Sequence, residues 1–245
     1  MNPLLASHSE NHNTVYWVPA NCQLNQLPTP NSQWFASPPA ASDFSLVGSA
    51  AGRGTTHFLR YQDCDLVLRH YKRGGLIGKL LDDQFLFLRK AWTRPVRELD
   101  LLIRMRSWHL PCPTPIAGQV TRVGLVWRGD LLTSRIPNAK DVHSLIVDSA
   151  LSAIEWRHIG ATIARFHKHQ VYHHDLNIHN IMLDDEGQAW LIDFDKCAVR
   201  RGNRWKTGNL SRLHRSLRKE QGKMSSYQFK DSDWQALLEG YRRFT

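Results

Sequence analysis

Cysteine is scarce and scattered. Four residues (Cys22, Cys64, Cys112 and Cys197) are spread over 245 positions with no CxxC pair. That spacing excludes a zinc ribbon and a disulfide framework and fits single thiols in a reducing compartment. Long apolar runs are also missing. No segment approaches the roughly 20 apolar residues a membrane span requires, and the N-terminus lacks the basic opening and apolar core of a cleaved signal. Membrane contact is therefore expected to be peripheral, with the chain on the cytoplasmic side. Acidic residues are the third shortage: 22 against 32 Lys and Arg, a formal charge of +10 and a pI near 9.7. Such an imbalance calls for an anionic partner. No internal repeat or extended low-complexity run is present.

What remains is an apolar share of 42%, enough to core one domain of two lobes or two small domains. Residues 1–40 are rich in Asn, Ser, Ala and Pro and read as a loosely ordered lead-in, with Val15-Tyr16-Trp17-Val18 as one candidate strand. Residues 41–137 form an N-terminal, β-rich lobe. Its runs "SLVG", "THFLRY" and "DLVLRHY" predict an antiparallel meander whose first turn is "GSAAGRG", carrying Gly48, Gly52 and Gly54. From Asp82 to His109 the pattern turns helical, with Leu99, Leu102, Ile103 and Met105 close to a 3.6 period, and "PCPTP" stops it. Two more strands end near "LLTSRI", and Pro137-Asn138-Ala139 reads as a hinge. Residues 138–245 form a mainly helical C-terminal lobe. In it, "ALSAIEWRHIGATIARFHKHQ" sets Trp156, Ile159, Ile163 and Phe166 on one buried face. Strands first and helices after predict an α+β protein of two lobes.

The chemistry concentrates in "VYHHDLNIHNIMLDDEGQAWLIDFD", Val171 to Asp195. Phosphoryl transfer needs a carboxylate to orient a hydroxyl and take its proton, together with oxygen ligands for Mg²⁺. Asp175 supplies the first; Asn180 and Asp193 supply the second. A short hairpin, "IMLD", "DEG" and "AWLI", folds Asp193 back toward Asn180. Singly, Asp175 and Asn180 have ordinary uses in turns. Their joint spacing, five and then thirteen residues, is what points to catalysis. The histidines at 167, 169, 173, 174 and 179 offer a competing zinc reading, but their spacing matches no zinc-binding helix and no zinc is expected there.

This run resembles the catalytic loop and metal-binding segment of the protein-kinase-like fold. His173-His174-Asp175 stands at its HRD, Asn180 at its loop asparagine, and Asp193-Phe194-Asp195 at its DFG. The resemblance implies ATP and Mg²⁺, a structural role for His173, and an N-lobe cation held by a helical glutamate. By register that cation is Arg69, with Lys72 as the alternative, and the glutamate is Glu98 in "RPVRELDLL". It also implies that backbone N–H groups of the "GSAAGRG" turn cover the phosphates. His174 replaces the arginine that reads an activation-loop phosphate, and no A-P-E signature follows Asp195. A small acceptor is therefore expected rather than a peptide.

Between Lys196 and Lys223 stand ten Lys/Arg and one acid, Glu220. Within it "NLSRLHRSLRKE" predicts a helix packed by Leu210, Leu213 and Leu217 and ringed by Arg212, Arg215, Arg218 and Lys219. These four form a candidate patch for an anionic acceptor or membrane surface. The segments "VLRHYKRGGLIGKL", "RPVRELDLL", "LPCPTPIAG", "DLLTSRIP" and "HHDLNIHNIMLD…LIDFDKC" together resemble the Kdo kinases of Gram-negative lipopolysaccharide assembly, over residues 45–240. That resemblance implies ATP-dependent phosphorylation of the 4-hydroxyl of 3-deoxy-D-manno-octulosonic acid (Kdo) on a lipid A precursor, at the inner membrane. Alternatives are a heptose kinase of the lipopolysaccharide core, a small basic protein kinase, or a non-enzymatic binder of anionic lipid or nucleic acid. Trp205 is the single aromatic within the basic run, which disfavours nucleic acid.

Overall fold

The computed structural model describes residues 5–20, 29–36, 44–51, 55–71, 85–86, 93–124 and 126–244. The chain divides into two compact units, Met1–Arg104 with Pro113–Arg135, and Met105–Cys112 with Ile136–Thr245. The division falls close to the expected break at 137/138, except that Met105–Cys112 joins the second unit.

The first unit is built on an antiparallel sheet in the order β1-β2-β7-β8-β5-β4-β3, with β6 pairing β8. Its strands are β1 (Leu5–Ser9), β2 (Thr14–Pro19), β3 (Phe44–Ala51), β4 (Thr55–Tyr61), β5 (Cys64–His70), β6 (Phe85–Leu86), β7 (Pro115–Val123) and β8 (Val126–Ser134). The two-residue alternation of a strand with one covered face explains β5, where Leu66 and Leu68 are buried and their neighbours are not. The expected meander is β3, β4 and β5, paired in sequence.

Three expectations change here. The lead-in is not loose where it is described: β1 and β2 join the sheet through β7. Tyr16, with Trp34 and Phe35 from a 3-10 turn at Ser32–Phe35, enters the same apolar cluster as Phe44, Leu59 and Ile116. Composition misjudged this stretch because a few large aromatics bury far more surface than their number indicates. The "GSAAGRG" turn is also shorter than expected. Gly48 to Ala51 pair with Phe58 to Thr55, with a register shift between Leu46 and Gly48, so Gly48 belongs to strand β3 and not to the turn. Gly52 and Gly54 lie outside the described residues, as does Lys72. Finally, the run from Asp82 is not helical throughout. Phe85–Leu86 pairs with Trp127–Val126, and the helix, α1, spans Arg94–Ser107. Pro95 is tolerated in its first turn, where no intrahelical N–H bond is lost. Leu99, Leu102 and Met105 are buried as their period required, whereas Ile103 is only partly buried.

The second unit is mainly helical: α2 (Val142–Asp148), α3 (Ala153–Lys168), α4 (Arg204–Gln221) and α5 (Asp231–Arg242), with the short strands β9 (Lys140–Asp141), β10 (Val171–Tyr172), β11 (Ile181–Leu183), β12 (Ala189–Leu191) and β13 (Ala198–Val199). Helix α3 opens on a capping box in which Ser152 and Glu155 satisfy each other's backbone N–H groups. Trp156, Ile159, Ile163 and Phe166 are all buried. Helices α3 and α5 approach backbone to backbone at Gly160 and Gly240. A Cβ on Gly160 would overlap the Leu237 carbonyl, and one on Gly240 the Arg157 carbonyl. This contact anchors the helix that leads into the catalytic loop.

Candidate active site

Helix α3 ends at His169, and the chain turns through Gln170, whose φ of 60° is left-handed, into β10. Strand β10 pairs with β13, which fixes both ends of the segment carrying the motif. His173 is wholly buried. Its Nε2 lies 3.0 Å from the Ile192 carbonyl, and its ring packs 5.1 Å from Phe194. Burial pushes its pKa down, so the ring stays neutral and its role is structural. Asn209 of α4 grips its backbone from both sides: the His173 N–H donates to Oδ1 at 3.2 Å, and Nδ2 donates to the carbonyl at 2.9 Å. Asn209 carries no motif signal. An uncharged residue on a buried helix face beside the leucine stripe was the only clue to it.

Asp175 follows on the loop, with its side chain partly exposed. Its carbonyl accepts from Asn177 Nδ2 at 3.0 Å and Asn180 Nδ2 at 2.9 Å. The second bond matters for metal chemistry. Once Nδ2 is committed to the Asp175 carbonyl, Asn180 Oδ1 is the atom left to accept or ligate. A 3-10 turn over Ile178–Asn180, capped by Asn177, delivers this asparagine. Strands β11 and β12 then form the expected hairpin, and Ile192 N–H returns to the Asn180 carbonyl at 3.1 Å. Asp193 follows directly on the residue bonded to Asn180. The hairpin turn is closed by Asp184, whose Oδ1 accepts from Glu186 and Gln188 N–H, and by Gly187 at φ 74°.

Asp193 has a φ of 60°, a left-handed backbone that few non-glycine residues adopt and that Asp tolerates better than most. The positive-φ positions of this segment are Asp193 and Lys196, with Asp195 between them in ordinary backbone. Phe194 is buried and stacks 5.7 Å from Phe166 of α3. Cys197 joins the segment to the loop. Its thiol sulfur accepts the His174 N–H at 3.2 Å and lies 3.6 Å from the Asp195 carbonyl. A carboxylate and an amide oxygen are hard donors of the kind Mg²⁺ takes, so Asn180 and Asp193 fit the expected ion.

The basic helix is divided in its engagements. Arg212 Nη1 donates to Asp175 Oδ1 at 2.8 Å, which puts a guanidinium directly on the candidate base. Arg218 pairs with Asp231, bonds Gln221 at 2.9 Å and covers the Phe229 ring, so it fastens α4 to α5. Arg215 and Lys219 are exposed. At i, i+3 and i+7, Arg212, Arg215 and Lys219 lie along one helix face, and Arg218, three residues from Arg215, is instead taken up by Asp231 and Phe229 of the α5 side. The expected four-residue patch therefore loses Arg218. In the first unit, Arg69 of β5 pairs with Glu98 of α1. Tyr71, absent from the sequence reading, donates to the same carboxylate at 2.5 Å and receives Arg69 Nη2 at 3.2 Å. Glu98 is buried, which gives the pair a fixed geometry.

Comparison with known proteins identifies the family. A family model described as "Lipopolysaccharide kinase (Kdo/WaaP) family" matches residues 40–241. A 3-deoxy-D-manno-octulosonic acid kinase of Photobacterium profundum is 46% identical over 196 residues, 80% of this chain and 83% of its own length. One from Vibrio vulnificus is 43% identical over 219 residues, covering 86% and 92%. Among solved structures, the Cydia pomonella granulovirus kinase PK-1 overlaps loosely, with a TM-score of 0.44 and 12% identity over 64% of this chain and 53% of its own. With the family model spanning most of its length and relatives at 43% and 46% identity, the chain belongs to the lipopolysaccharide kinase (Kdo/WaaP) family.

Proposed function

We propose that the protein is an ATP-dependent kinase that phosphorylates the 4-hydroxyl of Kdo on a lipid A precursor, working at the cytoplasmic face of the inner membrane. The observation that carries this reading is the loop geometry, in which Asp175 stays solvent-accessible while its carbonyl holds the Asn180 amide at 2.9 Å. Asp175 orients the acceptor hydroxyl and takes its proton as the phosphoryl group transfers. Asn180 Oδ1 and the Asp193 carboxylate are the residues that would hold Mg²⁺, which when bound offsets charge on the phosphate oxygens. Arg69, fixed by Glu98 and Tyr71, is the cation for the nucleotide phosphates, and its planar guanidinium suits bidentate phosphate contact.

Arg212 adds a role for the basic helix. A guanidinium on Asp175 keeps the carboxylate oriented when no acceptor is present and offers a cation to an anionic sugar when one is. Arg215 and Lys219 continue the same face outward and suit an anionic lipid surface, where each cation contributes about 1 kcal/mol. The curated relatives are named as kinases of this sugar acid, which supports Kdo as acceptor. An acceptor panel tests the reading. With Mg-ATP, Kdo-bearing lipid A precursor should be phosphorylated far faster than heptose-bearing core or a generic protein. Preference for the heptose acceptor would overturn the assignment of Kdo while leaving the kinase reading intact.

A further inference from the structure

We propose that the second unit carries a transition-metal site, best suited to Zn²⁺, formed by His143, His179 and Glu220. The three come from separate elements: His143 from α2, His179 from the 3-10 turn of the catalytic loop, and Glu220 from the last turn of α4. One ligand atom from each lies within 4.8 Å of the others. His179 Nε2 is 3.7 Å from Glu220 Oε1, and the two imidazole rings are 4.2 Å apart between centroids. Donors around a tetrahedral zinc stand roughly 3.3 Å from one another, given bond lengths of about 2.0–2.2 Å. Binding would therefore draw the three donors together by movement of their side chains.

Two features mark the cluster as one suited to a cation. His143 Nδ1 and the Tyr227 hydroxyl are both buried without a hydrogen-bond partner among the described residues. Their rings lie 5.6 Å apart. Glu220 is itself buried, and Lys223 already places its ammonium 2.8 Å from both carboxylate oxygens. The site thus attracts a cation, and the one it holds sits on a flexible, half-exposed stem that can withdraw. Two imidazoles and one carboxylate form a borderline donor set that favours zinc over the all-oxygen preference of Mg²⁺. Sequence spacing gave no sign of this, because the nearest ligands in the chain, His143 and His179, are 36 residues apart. An ion there would tie α2, the catalytic loop and α4 together one residue before Asn180.

The test is zinc binding by the full chain, without nucleotide or acceptor, so its outcome is independent of the kinase reading. After equilibrium dialysis against micromolar zinc chloride, the wild type should retain one zinc per chain, and zinc should raise its melting temperature. His143→Ala and Glu220→Gln should each weaken binding at least tenfold and remove the thermal shift. His158→Ala, outside the cluster, should leave both unchanged. Lys223→Met keeps all three ligands and removes the competing ammonium, so it should bind zinc at least as tightly as the wild type. It carries the test should the ligand variants fail to fold. Absence of zinc from the wild type, equal binding by the folded ligand variants, or weakened binding by Lys223→Met would each overturn the proposal.

Discussion

The second unit gathers Asp175, Asn180 and Asp193 from one short run of chain, whereas the first unit brings Arg69 to Glu98 across 29 positions. In the candidate catalytic run, backbone carbonyls do the positioning: the Asp175 carbonyl accepts from the Asn180 side-chain amide, and the Asn180 carbonyl accepts from Ile192 N–H. Each functional residue type is then fixed by its place on the loop. In the first unit, a strand and a helix are joined by one ion pair with Tyr71 as a third member. Local backbone geometry fixes the first set, and a tertiary ion pair fixes the second.

The largest effect expected is at the loop. Asp175→Ala should lower kcat by about 10²–10⁴-fold, the usual worth of a positioned base, with an unchanged circular dichroism spectrum. Near-normal turnover would mean that the run is scaffolding and that the contrast between the two units is misplaced.

The next test concerns the support beneath the loop. His167, buried in α3 against Tyr241 and Trp205, has its pKa lowered to about 4, chiefly by burial. Its unfolded value is near 6.5, so between pH 6.5 and 4 the unfolded chain binds the extra proton. Stability is therefore complete above 6.5 and falls as pH drops toward 4, by on the order of 3 kcal/mol. His173 acts in the same direction. Urea unfolding across that range should show the loss, and His167→Gln should flatten it.

Two smaller effects separate backbone from side-chain control. Gly160→Ala should destabilise by about 1–3 kcal/mol, since overpacking there forces helices apart. Gly208→Ala, in α4 with open space around it, should stabilise by up to about 1 kcal/mol. Equal effects in thermal melts would remove the helix contact as a determinant. For the ion pair, Arg69→Lys should cost less than about tenfold in kcat/KM for ATP, and Glu98→Gln about tenfold, or about 1.4 kcal/mol. A larger loss for Arg69→Lys would show that the guanidinium fork, not the charge alone, is required.

The same contrast explains what was legible in the sequence. The grouping of Asp175, Asn180 and Asp193 on one loop and hairpin was readable because their spacing is local, and Leu213 and Leu217 of α4 because their period is; Leu210, expected on the same stripe, is only partly buried, and Asn209 takes the buried position instead. Arg212 was readable as a cation but not as the partner of Asp175, because 37 residues separate them and only the packing of α4 brings them together. Arg218 was read as patch because charge counting cannot see that Asp231 and Phe229 await it. The lead-in was underestimated for a related reason: Tyr16, Trp34 and Phe35 reveal their burial only once β7 and β4 lie beside them.

The left-handed backbone at Asp193 has a bearing on how this position responds to saturation mutagenesis. In the proposed metal-binding role it would have to satisfy two separate demands, a carboxylate oxygen for the ion and a φ of 60°. Glutamate meets the first and not the second. Glycine meets only the second, and asparagine meets it with a neutral oxygen in place of the charge. A library scored for turnover should therefore return aspartate almost alone, while one scored for folding should return glycine and asparagine beside it.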